Sequence, residues 1–411
     1  MNRLPIAFRR LALSNLAAQS AEQIGLAVAP LVAVLSLGAS ASGTGLLQTA
    51  QTLPFLLLSI PLGVWADRHS RKRIMAAAEG LRALALAATL ALLAAHALTL
   101  PSLAMLGFVG ACGTVAYSVA APALIPALVG RAALARANGA IELARSAAYS
   151  AGPAIGAALV DRIGAQWAYG FAAALSAHAV LLIVRLPDVR APAAPRKRFV
   201  AELLDGARFV RRDRHLRPMI VTAVFFNVGF FTLQAVYVPY AVRHLALGAS
   251  QIGMTFAAYG IGMMGGAAIA RRVRFGVVLT IGPVGDLVAS LVMAVSIFAP
   301  SLWLAASSFF LLGAGPILWS VASTTLRQAI TPPAMLGRVC AINGTATYGA
   351  RPLGALVGAV VAARFGIDAC IWASVGGFVI QAAVIVRSAV SRLERIPDVS
   401  DAAPRYAPLP D

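Results

Sequence analysis

Long stretches without charge constrain this chain more than any other feature. The segment 23–66 contains no Asp, Glu, Lys or Arg, and neither does the segment 83–130. A helix that crosses a bilayer needs about 20 mainly apolar residues, so each stretch covers most of two successive crossings. Charged residues make up 12% of the chain, whereas soluble domains carry roughly 25%. The chain therefore requires lipid as its solvent.

Twelve apolar segments are long enough to cross a membrane when isolated charges are read through. They predict an all-α integral membrane protein with twelve transmembrane helices. Prolines or short polar turns separate neighbouring segments. The predicted spans are about 13–37, 46–66, 74–95, 101–125, 137–160, 165–186, 218–242, 250–270, 276–298, 302–326, 340–363 and 367–387.

Basic residues are distributed unevenly between the two sides of this arrangement. Of 34 Lys and Arg residues, 28 fall in the termini and in the loops on the same side, and only Arg162, Arg243 and Arg364 fall in the opposite loops. Because basic loops stay in the cytoplasm, both termini are expected there. The net charge of +19 thus reflects topology and not nucleic-acid binding, since the cations occupy short gaps between spans.

The polar segment 187–217 divides the chain into two halves of six spans. Pro30 and Pro239 lie late in spans one and seven, and Asn138 and Asn343 open spans five and eleven. These near-constant offsets indicate a parallel repeat, as in two-bundle secondary transporters. The predicted domains are an N-terminal six-helix bundle (1–186), a cytoplasmic linker (187–217), a C-terminal six-helix bundle (218–390) and a cytoplasmic tail (391–411).

Several kinds of chemistry are excluded by the residues present. The three cysteines, Cys112, Cys340 and Cys370, are an odd number in apolar stretches and form no disulfide framework or CxxC metal site. The two lysines, Lys72 and Lys197, do not follow a glycine-rich phosphate loop, and no HExxH pair exists. We expect no enzyme activity, no cofactor and no metal site.

The segment 63–73 resembles the signature G-x-x-x-D-R-x-x-R-K/R-R of the major facilitator superfamily, located between spans two and three. The resemblance implies that the chain is a transporter and that this cluster acts as a cytoplasmic latch between the halves. A purely topological loop would explain the cations, but not an aspartate four residues after a glycine. The predicted gate residues are Gly63, Asp67, Arg68, Arg71, Lys72 and Arg73.

The segment 139–156 is similar to the span-five antiporter signature G-x8-G-x3-G-P-x2-G, with Ala148 in place of one glycine. That signature implies export of substrate in exchange for protons, although a glycine–proline packing kink explains it as well. The loops 126–131 and 333–338 resemble the bacterial drug and siderophore exporter branch, which includes macrolide efflux proteins and enterobactin exporters. This resemblance implies a location in a bacterial inner membrane. The residues of the antiporter-type motif are Gly139, Gly152, Pro153 and Gly156.

Ionisable residues inside spans are costly, so they are functional candidates by default. Glu22, in span one, is the first candidate for proton exchange because a carboxyl in a dry cavity holds a proton readily, and the alternative is a packing or cation-binding role. Glu142 and Arg145 lie three residues apart on one face of span five and form either a proton-sensitive pair or a structural one. Span four lacks the arginine that many drug–proton antiporters carry there, which leaves the route of proton coupling open.

The second half contributes two more candidates for proton coupling or substrate binding. Asp286 in span nine and Arg351 in span eleven either pair with each other, or leave Arg351 free to attract an anionic substrate. In span three, Glu79 and Arg82 are expected to support the nearby latch. His178 is a weaker candidate for proton relay.

Aromatic residues gather in and around span seven, and they either face a cavity and stack on a planar substrate or face lipid. They are Phe225, Phe226, Phe230, Phe231, Tyr237 and Tyr240.

The sequence therefore favours a monomeric secondary exporter of a small amphipathic compound, a siderophore or an antibiotic-like drug, driven by proton antiport. The alternatives are a proton-coupled importer of a nutrient or metabolite and, less well supported, a non-transporting receptor or scaffold. The short termini argue against a receptor.

Overall fold

The computed structural model describes residues 5–66, 69–129, 133–188, 199–270 and 275–393. Within these ranges the chain forms thirteen α-helices and a short 3-10 segment at Ala389–Arg392. Twelve of the helices are long and α7 is short. They are α1 (Ile6–Leu35), α2 (Ala41–Ala66), α3 (Arg71–Ala94), α4 (Leu100–Leu128), α5 (Leu134–Ile163), α6 (Ala165–Val184), α7 (Phe199–Arg212), α8 (Leu216–Arg243), α9 (Ala249–Ala270), α10 (Phe275–Val295), α11 (Leu302–Ile330), α12 (Pro333–Phe365) and α13 (Ile367–Val386).

The long helices coincide with the twelve predicted spans, and the predicted fold class is confirmed. Eleven of them are long and apolar enough to cross a membrane. The exception is α5, which forms a 30-residue helix where span five is predicted but carries five charged residues, Arg136, Glu142, Arg145, Asp161 and Arg162. This helix packs against α1 of its own half and against α9 of the other half.

Local sequence determines where these helices begin and end. The side chain of Thr99 accepts a hydrogen bond from the Ser102 amide in a capping box that starts α4. Gly164 and Gly366 have φ of +103° and +85°, a conformation that glycine adopts without steric cost. These two glycines separate α5 from α6 and α12 from α13, so the same joint occurs in both halves.

The helix pairings repeat between the halves. In the first half α1 packs against α5 and α6, and α4 packs against α2 and α3, while α3 also contacts α6. In the second half α8 packs against α12 and α13, and α11 packs against α9 and α10, while α10 also contacts α13. Each half is thus the same six-helix bundle, as the offsets in the sequence predict. The division at residues 186 and 218 remains a prediction.

We call the end of the bundle where α1 begins the linker end, and the opposite end the far end. The halves meet through α2 with α12 and through α5 with α9. At the far end Arg243 donates to the Ala39 carbonyl at 2.9 Å, and Ser250 donates to Asp161 at 2.6 Å. These hydrogen bonds join the two halves at the far end.

At the linker end, α7 packs against α8 and α12. Asp205 of α7 lies 3.6 Å from the Arg338 guanidinium, and Gly206 fits against the backbone of Arg338. The linker 187–217 therefore contains a helix that is attached to the second half.

Candidate functional site

A cavity of about 240 Å³ lies between the two halves. Both bundles contribute to its wall, so a molecule bound there contacts each half. The first half supplies most of the polar side chains together with small and aliphatic ones, and the second half supplies mainly aromatic ones. The polar residues include Glu22, Gln23, Gln48, Gln51, Thr52, Arg82, Thr89 and Thr114, and the aromatic residues include Phe226, Phe230, Phe231, Phe256, Tyr259 and Phe309.

Glu22 lies at the edge of a buried ion network. Arg82 Nη1 donates to Glu79 Oε1 at 2.6 Å, and Arg82 Nη2 lies 3.7 Å from Glu22 Oε2. The side chain of Glu79 is fully buried, whereas that of Glu22 is 13% exposed. Ser176 donates to Glu79 Oε2 at 2.8 Å. Within this network one positive charge faces two carboxylates, so a proton on Glu22 makes the group neutral.

The expectation that Glu79 and Arg82 support the loop after α2 is wrong. Arg82 Nη2 instead donates to Thr114 of α4 at 2.7 Å, and its Nη1 donates to the Ala18 carbonyl of α1 at 3.1 Å. An arginine from α3 thus reaches the surface of α4, the span that lacks one of its own. The i, i+3 spacing of two charges inside a span was the available signal, but spacing alone does not show which helices they face.

Arg351 is the charged residue that the second half contributes to the cavity wall. Its guanidinium lies 4.5–5.4 Å from the ring centres of Phe55, Phe231 and Tyr348, a favourable arrangement for a cation. Its Nε donates to Asn227 Oδ1 at 3.4 Å. Phe55 belongs to α2 and the other residues to the second half, so this cage spans both bundles.

The structure does not bring Asp286 and Arg351 together. Asp286 accepts a hydrogen bond from Gln381 Nε2 of α13 at 2.9 Å and is 1% exposed. Asp286 points from α10 into its own bundle, whereas Arg351 of α12 points into the cavity, so the two residues face different surroundings. Of the two alternatives, the pairing is therefore excluded.

Glu142 and Arg145 form an ion pair with 2.6 Å between Oε1 and Nη2. Their side chains are 52% and 38% exposed, and Arg145 also lies 5.8 Å from the centre of the Tyr149 ring. The pair is therefore outside the buried network around Glu22. His178 is exposed on α6, which gives it no place in the cavity wall.

The antiporter-type motif lies on the face of α5 that packs against α1. A Cβ on Gly152 would lie 2.7 Å from Gln23 Cβ, and a Cβ on Gly156 would lie 3.0 Å from Val28 Cγ2. Pro153 lines the cavity, whereas Gly139 has open space around it. Two of the four motif residues, Gly152 and Gly156, thus hold α5 close to the helix that carries Glu22.

The gate motif is described only in part, because Asp67 and Arg68 lie outside the described residues. Ser70 donates to Asp188, and Arg73 Nε lies 3.7 Å from Asp188 Oδ2. Asp188 directly follows α6, so these contacts stay within the first half. Gly63 has open space around it, and Arg71 and Lys72 begin α3. A contact of this motif with the second half remains a prediction.

Only part of the aromatic group faces the cavity. Phe226, Phe230 and Phe231 line it. Tyr237 and Tyr240 are fully buried, and their hydroxyls bond to Thr255 and Ser296 at 2.6 and 2.7 Å. Within the described ranges, no three His, Cys, Asp or Glu side chains come together as a possible metal site.

Comparison with known proteins matches this chain to transporters. A family described as transmembrane secretion effector matches residues 5–408. The enterobactin exporter EntS of Salmonella typhi is 30% identical over 83% of this chain and 82% of its own length. EntS of Citrobacter koseri is 29% identical over the same shares.

Solved structures share the fold at low identity. A bacterial homologue of the iron transporter ferroportin, in an inward-facing state, has a TM-score of 0.75 at 14% identity and covers 95% of this chain and 100% of its own. The nucleoside transporter NupG has a TM-score of 0.72 at 14% identity, covering 92% and 99%.

Proposed function

The chain belongs to the transmembrane secretion effector family of the major facilitator superfamily, and from this we propose that it exports a small amphipathic compound by proton antiport. It is a multi-pass membrane transporter and not an enzyme. The observation that carries the proposal is the position of Glu22, which faces both the central cavity and the buried Arg82–Glu79 pair. Export proceeds by alternating access, in which the two bundles rock around this site.

Coupling follows from competition at the Glu22 carboxylate. The ionised oxygens accept hydrogen bonds from hydroxyl or amide donors of the substrate. A proton that binds Glu22 removes this negative charge and weakens its attraction to Arg82, which lies 3.7 Å away. Proton and substrate therefore exclude each other, as an antiporter requires. Arg82 retains Glu79, so the network stays intact when Glu22 is neutral.

The wall of the cavity favours a substrate with two kinds of surface. Phenyl rings of the second half stack on a planar or apolar portion. Glutamine and threonine side chains of the first half bond to polar substituents. A siderophore or an antibiotic-like drug has both, and the similarity to enterobactin exporters supports the siderophore.

Orientation follows from the distribution of basic residues, which places the linker end in the cytoplasm of a bacterial cell. In this orientation the contacts of Ala39 with Arg243 and of Asp161 with Ser250 close the outer side. The conformation is then inward-facing, and the gate motif joins the second half only in the outward-facing state. The transporter acts as a monomer, since one chain encloses the complete cavity.

Glu22→Gln tests the proposal in proteoliposomes with an imposed pH gradient. The variant is expected to keep substrate counterflow but lose accumulation driven by the proton gradient, because glutamine cannot exchange a proton. Radiolabelled enterobactin and a macrolide serve as the two substrates, and flux in both directions is measured.

Glu142→Gln is the matched control, since it removes an exposed glutamate from the same half and should leave proton-driven transport intact. Intact coupling in Glu22→Gln would refute the assigned role of Glu22. Accumulation of substrate along the proton gradient, instead of against it, would show an importer.

A further inference from the structure

Asp286 is a buried carboxyl group that the transport mechanism does not use. It lies in α10, is 1% exposed and is not part of the cavity wall. Gln381 of α13 bonds to its Oδ2, and on the other side α11 lies so close that any Cβ on Gly315 would collide with Oδ1. Asp286 is therefore enclosed by three helices of the same bundle.

No cation is available on these helices at the level of Asp286. It is the only charged residue of α10, and the only charged residues of α11 and α13 are Arg327 and Asp368. At 1.5 Å per residue, Arg327 is about 18 Å from Gly315 along α11, and Asp368 is about 20 Å from Gln381 along α13. An ionised Asp286 would therefore have no compensating charge on the helices that enclose it.

The remaining titratable groups near this site do not change that conclusion. Tyr259 of α9 lies within electrostatic reach of Asp286, and its phenol is neutral at physiological pH. Arg387 and Arg392 follow α13, and Arg387, the nearer of the two in the chain, lies about 9 Å from Gln381 along the helix axis. An ionised carboxylate without a paired cation is strongly disfavoured inside a membrane.

Two buried oxygens at this contact lack a donor. Asp286 Oδ1 and Gln381 Oε1 have no hydrogen-bond partner in the described structure. Both oxygens are acceptors while Asp286 is ionised, so neither can satisfy the other. A proton on Asp286 Oδ1 turns it into a donor. The acid then donates one hydrogen bond and accepts one from the Gln381 amide.

We propose that Asp286 binds a resident proton, which makes it a neutral acid paired with Gln381 and ties α10 to α13. This proton is not the transported one, because the site is closed to the cavity and its three helices move together in one bundle. The statement that this proton is not the transported one rests on the proposed function, whereas the presence of the proton does not.

Infrared spectroscopy of the purified full-length protein in detergent tests the resident proton. At neutral pH the wild type is expected to show a protonated-carboxyl carbonyl absorption that disappears in Asp286→Asn and persists in Glu22→Gln. An unchanged absorption in Asp286→Asn would overturn the proposal.

If that variant does not fold, Gln381→Leu replaces it, and the carbonyl absorption should then shift to higher frequency because the hydrogen bond between Asp286 and Gln381 is lost. Loss of the absorption in Gln381→Leu would overturn the proposal as well.

A transport assay distinguishes a resident proton from a transported one. Asp286→Asn resembles the neutral acid and pairs with Gln381 through its own amide, so proton-driven accumulation should show no loss. If this variant loses proton coupling but keeps counterflow, Asp286 exchanges its proton and the resident assignment is wrong. Failure of the proposed function is distinguishable, because the wild type itself would then show no proton-driven accumulation while the infrared result would stand.

Discussion

Arg82→Ala is expected to lower the free energy of unfolding by about 3–5 kcal/mol and to abolish transport. Removing one partner of a buried ion pair leaves the other charge without compensation, and this is the usual magnitude of that loss. Here the remaining charge is Glu79, which is fully buried and keeps only the Ser176 hydroxyl. Thr114 and the Ala18 carbonyl also lose their donor.

The chain contains a matched control for this experiment. Glu142 and Arg145 have the same i, i+3 spacing and the same 2.6 Å separation as Glu79 and Arg82, but they are exposed. Arg145→Ala should therefore cost less than about 1 kcal/mol. Denaturant or thermal unfolding in detergent, followed by helical circular dichroism, measures both variants. Equal losses would show that burial does not determine the strength of the Arg82 network.

Arg82→Lys separates charge from geometry. Lysine keeps the positive charge but cannot extend two nitrogens to Glu79, Thr114 and Ala18 at once. We expect it to recover part of the lost stability and little of the transport, since the attraction of Glu22 to a fixed Nη2 depends on the planar guanidinium. Full recovery of transport by lysine would show that the charge alone is required.

Gly45→Leu is expected to shift the protein away from the conformation described here. Gly45 of α2 faces Ala359 of α12 at the far end, and an added Cβ would lie 2.7 Å from the Ala359 Cα and Cβ. Because the contact joins the two halves, the collision is relieved when they separate at this end. Overpacking costs about 1–3 kcal/mol, which corresponds to a roughly 5- to 150-fold change in the ratio of two conformations.

Spin-label distances between the halves, measured at both ends of the bundle, test this shift. The far-end distances should lengthen and the linker-end distances should shorten in Gly45→Leu. Gly376→Leu is the control, because Gly376 lies on α13 with open space around it. An unchanged distance distribution in Gly45→Leu would contradict the assignment of this contact as the closed end of the transporter.

The positions of the spans were predictable because few backbone conformations are stable in lipid. Uncharged stretches such as 23–66 must become helices, since a backbone in hydrocarbon has to satisfy its own hydrogen bonds. The repeat was predictable from the offset between Pro30 and Pro239, because the two halves pack their six helices in the same way.

Part of the candidate site was also predictable. Glu22 and Arg351 line the cavity because a charged group inside a span avoids lipid and faces the interior. The role of Arg82 was missed, since the sequence shows its distance from Glu79 but not its contacts with α1 and α4. The sequence left open whether Arg351 pairs with Asp286 or attracts an anionic substrate. The positions of α10 and α12 decide this, because they hold Asp286 inside its own bundle and away from Arg351.

The amino-acid sequence was enough to predict that this chain crosses the membrane twelve times, which loops are basic and which residues carry charge into the membrane. These properties depend on the free energy of transferring each side chain from water to lipid, and this free energy depends little on residues far away in the chain. The partners of these residues became visible once the helices were packed: Glu79 with Arg82, Asp286 with Gln381, and three rings with Arg351. A helical period defines the face of each residue, but pairing depends on which helix packs against that face.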